Sequence, residues 1–130
     1  MELHHIGYAV RDIEQARSIF TGLGYQPENA PCRDERRRVA IQFLKNGAAR
    51  IELIAPLDEA GPVSRFLEKN KGGPYHFCYQ VGNLDQAIDE LQRQGYALVE
   101  KPSPAVALEN HPVAFLHQRD IGLVELVEIK

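Results

Sequence analysis

The order of hydrophobic and polar positions along this chain occurs twice. Residues 5–10 and 76–81 are alternating runs rich in β-forming side chains. Each run precedes a polar residue suited to cap a helix, Asp12 in the first and Asn83 in the second. Apolar residues at helical spacing follow in both places. The pattern predicts a strand and then a helix, and it predicts this pair of elements in two copies.

The two copies have identical residues at several positions that are 71 residues apart. The identical pairs are His5 and His76, Tyr8 and Tyr79, Val10 and Val81, Gln15 and Gln86, Ala16 and Ala87, and Gly24 and Gly95. Chance does not account for so many identities at a fixed spacing, so we interpret the chain as an internal duplication. The matched glycines stand where a helix would end in the left-handed conformation, which glycine tolerates best.

Further β-rich runs follow each predicted helix. They are residues 39–44, 50–55, 113–116 and 123–129, with short additional strands near Tyr25 and near residues 97–99. Each copy therefore has the order β-α-β-β-β, and the predicted fold class is α+β. A loop is expected at residues 101–104, which contain two prolines.

This organisation predicts one domain over residues 1–130. Module one is expected at about residues 1–57 and module two at about 74–130. The connector, at about residues 58–73, should contain a short helix at 63–70. Neither module alone is expected to bury enough apolar surface to be stable.

Composition narrows the class of protein. The chain has 130 residues, of which 44% are hydrophobic and 25% charged, as in an ordinary globular domain. Its net charge of -3 argues against a nucleic-acid partner. No apolar run approaches the roughly 18 residues that a membrane span needs, and no signal region follows Met1. Since Cys32 and Cys78 are too few for a disulfide framework, we expect a cytoplasmic protein.

Four polar residues occupy matched positions on otherwise apolar predicted strands. They are His5, Glu52, His76 and Glu125. A single histidine or glutamate in a strand is more commonly packed or solvent-facing, but recurrence in matched positions favours a metal site. Nitrogen and oxygen ligands without thiolate favour Zn, Ni, Co, Mn or Fe. Four protein ligands would leave two open positions in an octahedral shell, as a catalytic metal requires.

Several strings in the sequence resemble the vicinal oxygen chelate superfamily, and in particular its glyoxalase I and methylmalonyl-CoA epimerase branches. These strings are residues 4–10, 50–56, 75–77, 113–117 and 122–126. The resemblance implies two βαβββ modules that form a U-shaped mixed sheet around one divalent metal. It places the ligands at His5, Glu52, His76 and Glu125, on the first and last strand of each module. It also implies a homodimer, as is common among small members of the superfamily.

The activity implied by the resemblance is proton abstraction next to a carbonyl. The substrate would be a small thioester or hemithioacetal, such as an acyl-CoA or a glutathione adduct. By analogy, Glu125 would be a ligand that also acts as the base, with Glu52 as the second candidate. The same fold leaves two alternatives open, a ring-cleaving dioxygenase and a metal-free protein that sequesters drugs.

The sequence departs from the epimerase pattern at two places. Epimerases add a non-ligand glutamate on the third strand of module one, where residues 39–44 offer only Gln42, which could position substrate but cannot take a proton. They also carry a glycine-rich stretch where this chain has residues 104–111. Arg38, at the end of a basic run, could hold an anionic substrate tail, or the run could form a solvated loop.

Overall fold

Nine strands and three α-helices make up the chain, and a computed structural model describes all 130 residues. The strands are β1 Glu2–Ala9, β2 Gln26–Pro27, β3 Cys32–Asp34, β4 Val39–Asn46, β5 Ala49–Pro56, β6 Gly73–Val81, β7 Ala97–Ala105, β8 His111–Gln118 and β9 Gly122–Glu128. The helices are α1 Ile13–Thr21, α2 Pro62–Asn70 and α3 Leu84–Arg93. None of these helices has the length and apolar character needed to cross a membrane.

The chain forms two compact units. The N-terminal unit comprises His5–Tyr75, and the C-terminal unit comprises His76–Lys130 together with Met1–His4. Each unit contains parallel and antiparallel strand pairs, which confirms the predicted α+β class with mixed pairing. The single domain and the module boundaries expected from the sequence stay predictions.

In the N-terminal unit the strand order is β2-β4-β5-β1. The short strand β3 pairs with the first three residues of β4, Val39 to Ile41. β1 and β5 are parallel, with Gly7 opposite Glu52, while β4 and β5 are antiparallel, with Phe43 opposite Glu52. Helix α1 covers one face of this sheet and packs against a cluster of buried side chains that includes Leu44 and Leu53. The opposite face of β5 is therefore the one that carries Glu52.

The C-terminal unit repeats this arrangement, with β7-β8-β9-β6 as the order equivalent to β2-β4-β5-β1. β6 and β9 are parallel, with Cys78 opposite Glu125, while β8 and β9 are antiparallel, with Phe115 opposite Glu125. Helix α3 packs on the face that carries Leu126 and Val124. Glu125 lies on the other face, since side chains alternate along a strand.

Local sequence signals account for where the helices begin. The Asp12 side chain accepts a hydrogen bond from the Gln15 backbone N–H at 3.0 Å, and Asn83 accepts one from Gln86 N–H at 3.0 Å. Both predicted caps are confirmed. Helix α1 ends at Thr21, before the predicted glycine, because the chain turns through residues 22–24, where Gly24 has φ +100°.

The predicted loop at residues 101–104 is wrong, because these residues belong to strand β7. β7 is an edge strand that pairs only with β8. Proline has no backbone N–H to donate, and an edge strand tolerates Pro102 and Pro104 because one of its sides forms no strand hydrogen bonds. The β7–β8 register shifts between Leu98 and Glu100 and again between Glu100 and Ser103. Such irregularities accommodate proline at a sheet edge.

Candidate metal and catalytic site

The N-terminal unit brings His5 to Glu52. These residues lie on the neighbouring strands β1 and β5, and His5 Nε2 is 3.5 Å from Glu52 Oε1. Only 1% of His5 and 4% of Glu52 is exposed. Burial of a carboxylate is costly unless a partner compensates for the lost water, so this pair is a constrained arrangement rather than a surface contact.

The C-terminal unit brings His76 to Glu125 in the same way. His76 Nε2 lies 3.0 Å from Glu125 Oε1, and each residue is 4% exposed. The pair lies on the neighbouring parallel strands β6 and β9. Both predicted histidines are therefore paired with the predicted glutamate of their own unit.

A phenylalanine ring packs edge-on against each histidine. The centroids of the His5 and Phe43 rings are 5.0 Å apart at an interplanar angle of 79°. The centroids of His76 and Phe115 are 5.4 Å apart at 83°. Each phenylalanine is directly opposite its glutamate in the antiparallel ladder, so histidine, glutamate and phenylalanine share one face in each unit.

The donor chemistry of the two pairs fits a divalent transition metal. Imidazole nitrogen and carboxylate oxygen are ligands of Zn, Ni, Co and Mn. Each pair presents one of each kind, buried and beside an apolar ring. A low local dielectric strengthens the attraction of such donors for a cation.

Gln42 lies on the other face of β4 from these side chains. It is opposite Leu53, which belongs to the cluster under α1, and it is only 3% exposed. Its Oε1 accepts a hydrogen bond from Arg17 in α1 at 3.0 Å, and its Nε2 donates one to the Asn29 carbonyl at 2.8 Å. This position does not support the predicted contact of Gln42 with substrate. It makes Gln42 a link between α1 and the sheet.

The basic run lies in the turn between β3 and β4. Arg38 forms an ion pair with Asp58, its side chain is 60% exposed, and it has a φ of +60°. The neighbouring Arg37 pairs with Asp34 through Nη1 and Oδ2 at 2.8 Å. Carboxylates of the same unit therefore engage both arginines, and binding of a substrate anion by Arg38 would have to compete with Asp58.

Sequence reasoning missed two residues of strand β3. Cys32 is opposite Ile41 and Asp34 is opposite Val39, which places both on the face of β4 that carries Phe43. Asp34 is 4% exposed and accepts the Arg37 backbone N–H at 3.1 Å. Partial burial raises the pKa of the Cys32 thiol, and the negative charges of Asp34 and Glu52 raise it further. A three-residue strand has too little periodicity to be recognised in a sequence.

Comparison with known proteins gives the family. A family profile described as the Glyoxalase/Bleomycin resistance protein/Dioxygenase superfamily matches residues 4–115. The chain belongs to this superfamily, which confirms the resemblance seen in its sequence.

Individual relatives are similar over nearly the whole chain. An ethylmalonyl-CoA/methylmalonyl-CoA epimerase of Cereibacter sphaeroides is 34% identical over 98% of this chain and 97% of its own length. The human mitochondrial methylmalonyl-CoA epimerase is 36% identical over 95% of this chain and 72% of its own. The crystal structure of methylmalonyl-CoA epimerase from Mycobacterium tuberculosis matches with a TM-score of 0.86 and 30% identity, over 99% of this chain and 88% of that one. These relatives confirm the predicted similarity to the epimerase branch.

Proposed function

We propose that this chain is a metal-dependent epimerase of small acyl-CoA thioesters, with His5, Glu52, His76 and Glu125 as the ligands of one divalent ion. The observation that carries the proposal is the buried histidine–glutamate pair that occurs once in each unit. The relatives named as acyl-CoA epimerases support the substrate class. The donor set suits Zn, Ni, Co or Mn and does not distinguish among them.

Epimerisation inverts a carbon next to the thioester carbonyl by removing its proton and returning it on the other side. When bound, the metal supplies positive charge that stabilises the negative charge developing on the substrate oxygens. Glu125 is the proposed base, whose carboxylate would take the α-proton, with Glu52 as the second candidate; the other carboxyl group or solvent would deliver a proton to the opposite face. Phe43 and Phe115 lie opposite Glu52 and Glu125 in the antiparallel ladders and place apolar surface beside these carboxylates.

Metal content tests the ligand set. We expect one equivalent of metal per chain in protein purified without tags or chelators and measured by plasma mass spectrometry. His5→Ala, which alters one pair, and Glu125→Ala, which alters the other, should each abolish retention of the ion. Two equivalents per chain, or loss of only half the metal in each variant, would assign one ion to each pair and contradict the shared site. No metal in the purified protein, and none taken up on addition, would favour the drug-sequestering alternative.

Exchange of the substrate α-proton with deuterated water tests the reaction. We expect the loaded protein to exchange the α-proton of methylmalonyl-CoA or ethylmalonyl-CoA, as followed by mass spectrometry. Glu125→Gln keeps the shape of the side chain but cannot accept a proton, so it should slow exchange by about 10²–10⁴-fold.

The matched control for that variant is Glu128→Gln, on the same strand β9. Glu128 Oε2 accepts the Leu84 backbone N–H at 2.9 Å, a role that an amide oxygen can also fill. Exchange by Glu128→Gln should equal that of the wild type. Absence of exchange with every acyl-CoA tested would exclude the epimerase, and iron with oxygen-dependent ring cleavage would favour the dioxygenase. The cytoplasmic location and the homodimer expected from the sequence stay predictions.

A further inference from the structure

We infer that Phe43 and Phe115 are positioning residues, which fix the ring planes of His5 and His76 and thereby set the direction in which each Nε2 can bind a metal. This inference rests on the proposed function and goes beyond it, because it adds a determinant of metal affinity outside the four proposed ligands.

The contact geometry supports this role. Both rings meet their histidine nearly perpendicularly, at 79° and 83°, with centroids 5.0 Å and 5.4 Å apart. An edge-to-face contact of this kind resists rotation of the imidazole about its bond to the strand, since rotation would push ring atoms into the phenyl group. Because the metal-binding lone pair lies in the imidazole plane, fixing the plane also fixes the direction of coordination.

The register of the sheets explains why a phenylalanine can act on both members of a pair. Phe43 is opposite Glu52 across β4 and β5, and Gly7 is opposite the same glutamate across β5 and β1. His5 lies two residues before Gly7 and therefore on the same face. Each pair is thus bordered by an aromatic side chain that offers no ligand atom, so the ring constrains the donors without competing for the ion.

The backbone of Phe43 is itself held in place. Its N–H donates to Asn29 Oδ1 at 3.2 Å, and its carbonyl accepts the Glu28 backbone N–H at 2.9 Å. Phe43 is 4% exposed, so neighbouring side chains also restrict its rotamer. These contacts restrict the movement of the Phe43 ring against the His5 imidazole.

The edge-on aromatic contact occurs in both units. The residues between the histidine and the phenylalanine differ in the two units, and β7 is a longer strand than β2 or β3. The edge-on ring is nevertheless present in each, on the strand adjacent to the glutamate. The phenylalanine is thus part of the duplicated arrangement, as the histidine and the glutamate are.

Titration of the metal-free protein with Co(II), followed by visible absorption, tests the inference. The variants are Phe43→Leu and Phe115→Leu, which keep an apolar side chain but remove the planar ring. The control is Phe20→Leu, since Phe20 makes the same kind of contact with Tyr8 at 5.2 Å and 84° but belongs to α1 and packs against the apolar cluster beneath that helix. Thermal unfolding of each metal-free variant measures the loss of stability separately.

We expect both site variants to bind Co(II) about tenfold more weakly than the wild type, the lower end of the effect of groups that orient metal ligands. Their absorption bands should shift, because the coordination geometry changes. Phe20→Leu should lose stability but keep the affinity and spectrum of the wild type. Normal uptake with unchanged affinity and spectrum in both site variants would overturn this inference alone. A wild-type protein that takes up no Co(II) would overturn the proposed function as well.

Discussion

At the residue scale, one position along a strand decides whether a side chain reaches the candidate site. Phe43 packs against His5, whereas its neighbour Gln42 points to α1 and bonds to Arg17. The sequence prediction for Gln42 rested on its polar character in the correct strand, and polarity does not reveal the face. The pairing register, which places Phe43 opposite Glu52, decides that.

The raised pKa of Cys32 gives a residue-scale prediction. Burial disfavours the thiolate, and the charges of Asp34 and Glu52 oppose a further negative charge. In chelator-treated protein the rate of alkylation by iodoacetamide should therefore rise with pH through a midpoint above the usual pKa of a cysteine thiol. Glu52→Gln removes one of the negative charges, so it should move that midpoint to lower pH. The measurement is the pH–rate profile of the modification, by mass spectrometry.

Cys32→Ser is the control for that profile and should abolish the labelling, since Cys78 is fully buried. A midpoint that does not move in Glu52→Gln would show that Glu52 does not act on the thiol.

At the scale of elements, the segment before β8 shows how this chain replaces the glycine-rich stretch expected from epimerases. A short 3₁₀ helix at Val106–Leu108 is followed by Glu109 with φ +54° and Asn110 with φ +63°. Both residues have left-handed backbone conformations, in which glycine has no Cβ to clash. The backbone keeps a shape that glycine favours although no glycine is present.

Glu109→Gly should therefore stabilise the protein. The left-handed conformation costs a residue with a Cβ about 1–2 kcal/mol, and the greater freedom of glycine in the unfolded chain offsets about 0.5–1 kcal/mol of that. We expect a net gain of about 0.5–1 kcal/mol in the free energy of unfolding, measured by urea titration at an unchanged m-value. Asn110→Gly is the matched comparison and should gain less, because asparagine tolerates this region better. Equal or lower stability of Glu109→Gly would mean that its side chain makes a compensating contribution.

At the scale of the whole molecule, the family match and the relatives extend over residues of both units. The strand order β1-β5-β4-β2 is equivalent to β6-β9-β8-β7, and each unit presents one histidine and one glutamate on neighbouring parallel strands. The proposed shared ion would make the stability of the entire chain depend on metal.

Added metal should raise the free energy of unfolding by about 2.7 kcal/mol when free metal is one hundred times its dissociation constant. The reason is that the folded chain binds the ion and the unfolded chain lacks the assembled ligands. Calorimetry with and without metal measures this, and Glu52→Ala, which removes a proposed ligand, should show little response. A similar rise in the variant would indicate that the metal binds elsewhere.

The sequence by itself determined where α1 and α3 begin, the β-α-β-β-β order in each copy and the choice of His5, Glu52, His76 and Glu125 as candidate ligands. The helix caps depend on residues three apart. The four polar residues were recognisable because the duplication repeats them, the histidines 71 residues apart and the glutamates 73 residues apart. Only the tertiary structure decided the inclusion of residues 101–104 in β7, the presence of β3, the direction of Gln42 and the aromatic contacts with both histidines. The physical reason is that these features depend on which strand pairs with which and in what register. Hydrogen bonds and packing between residues distant in the chain determine that register, and local periodicity does not report it.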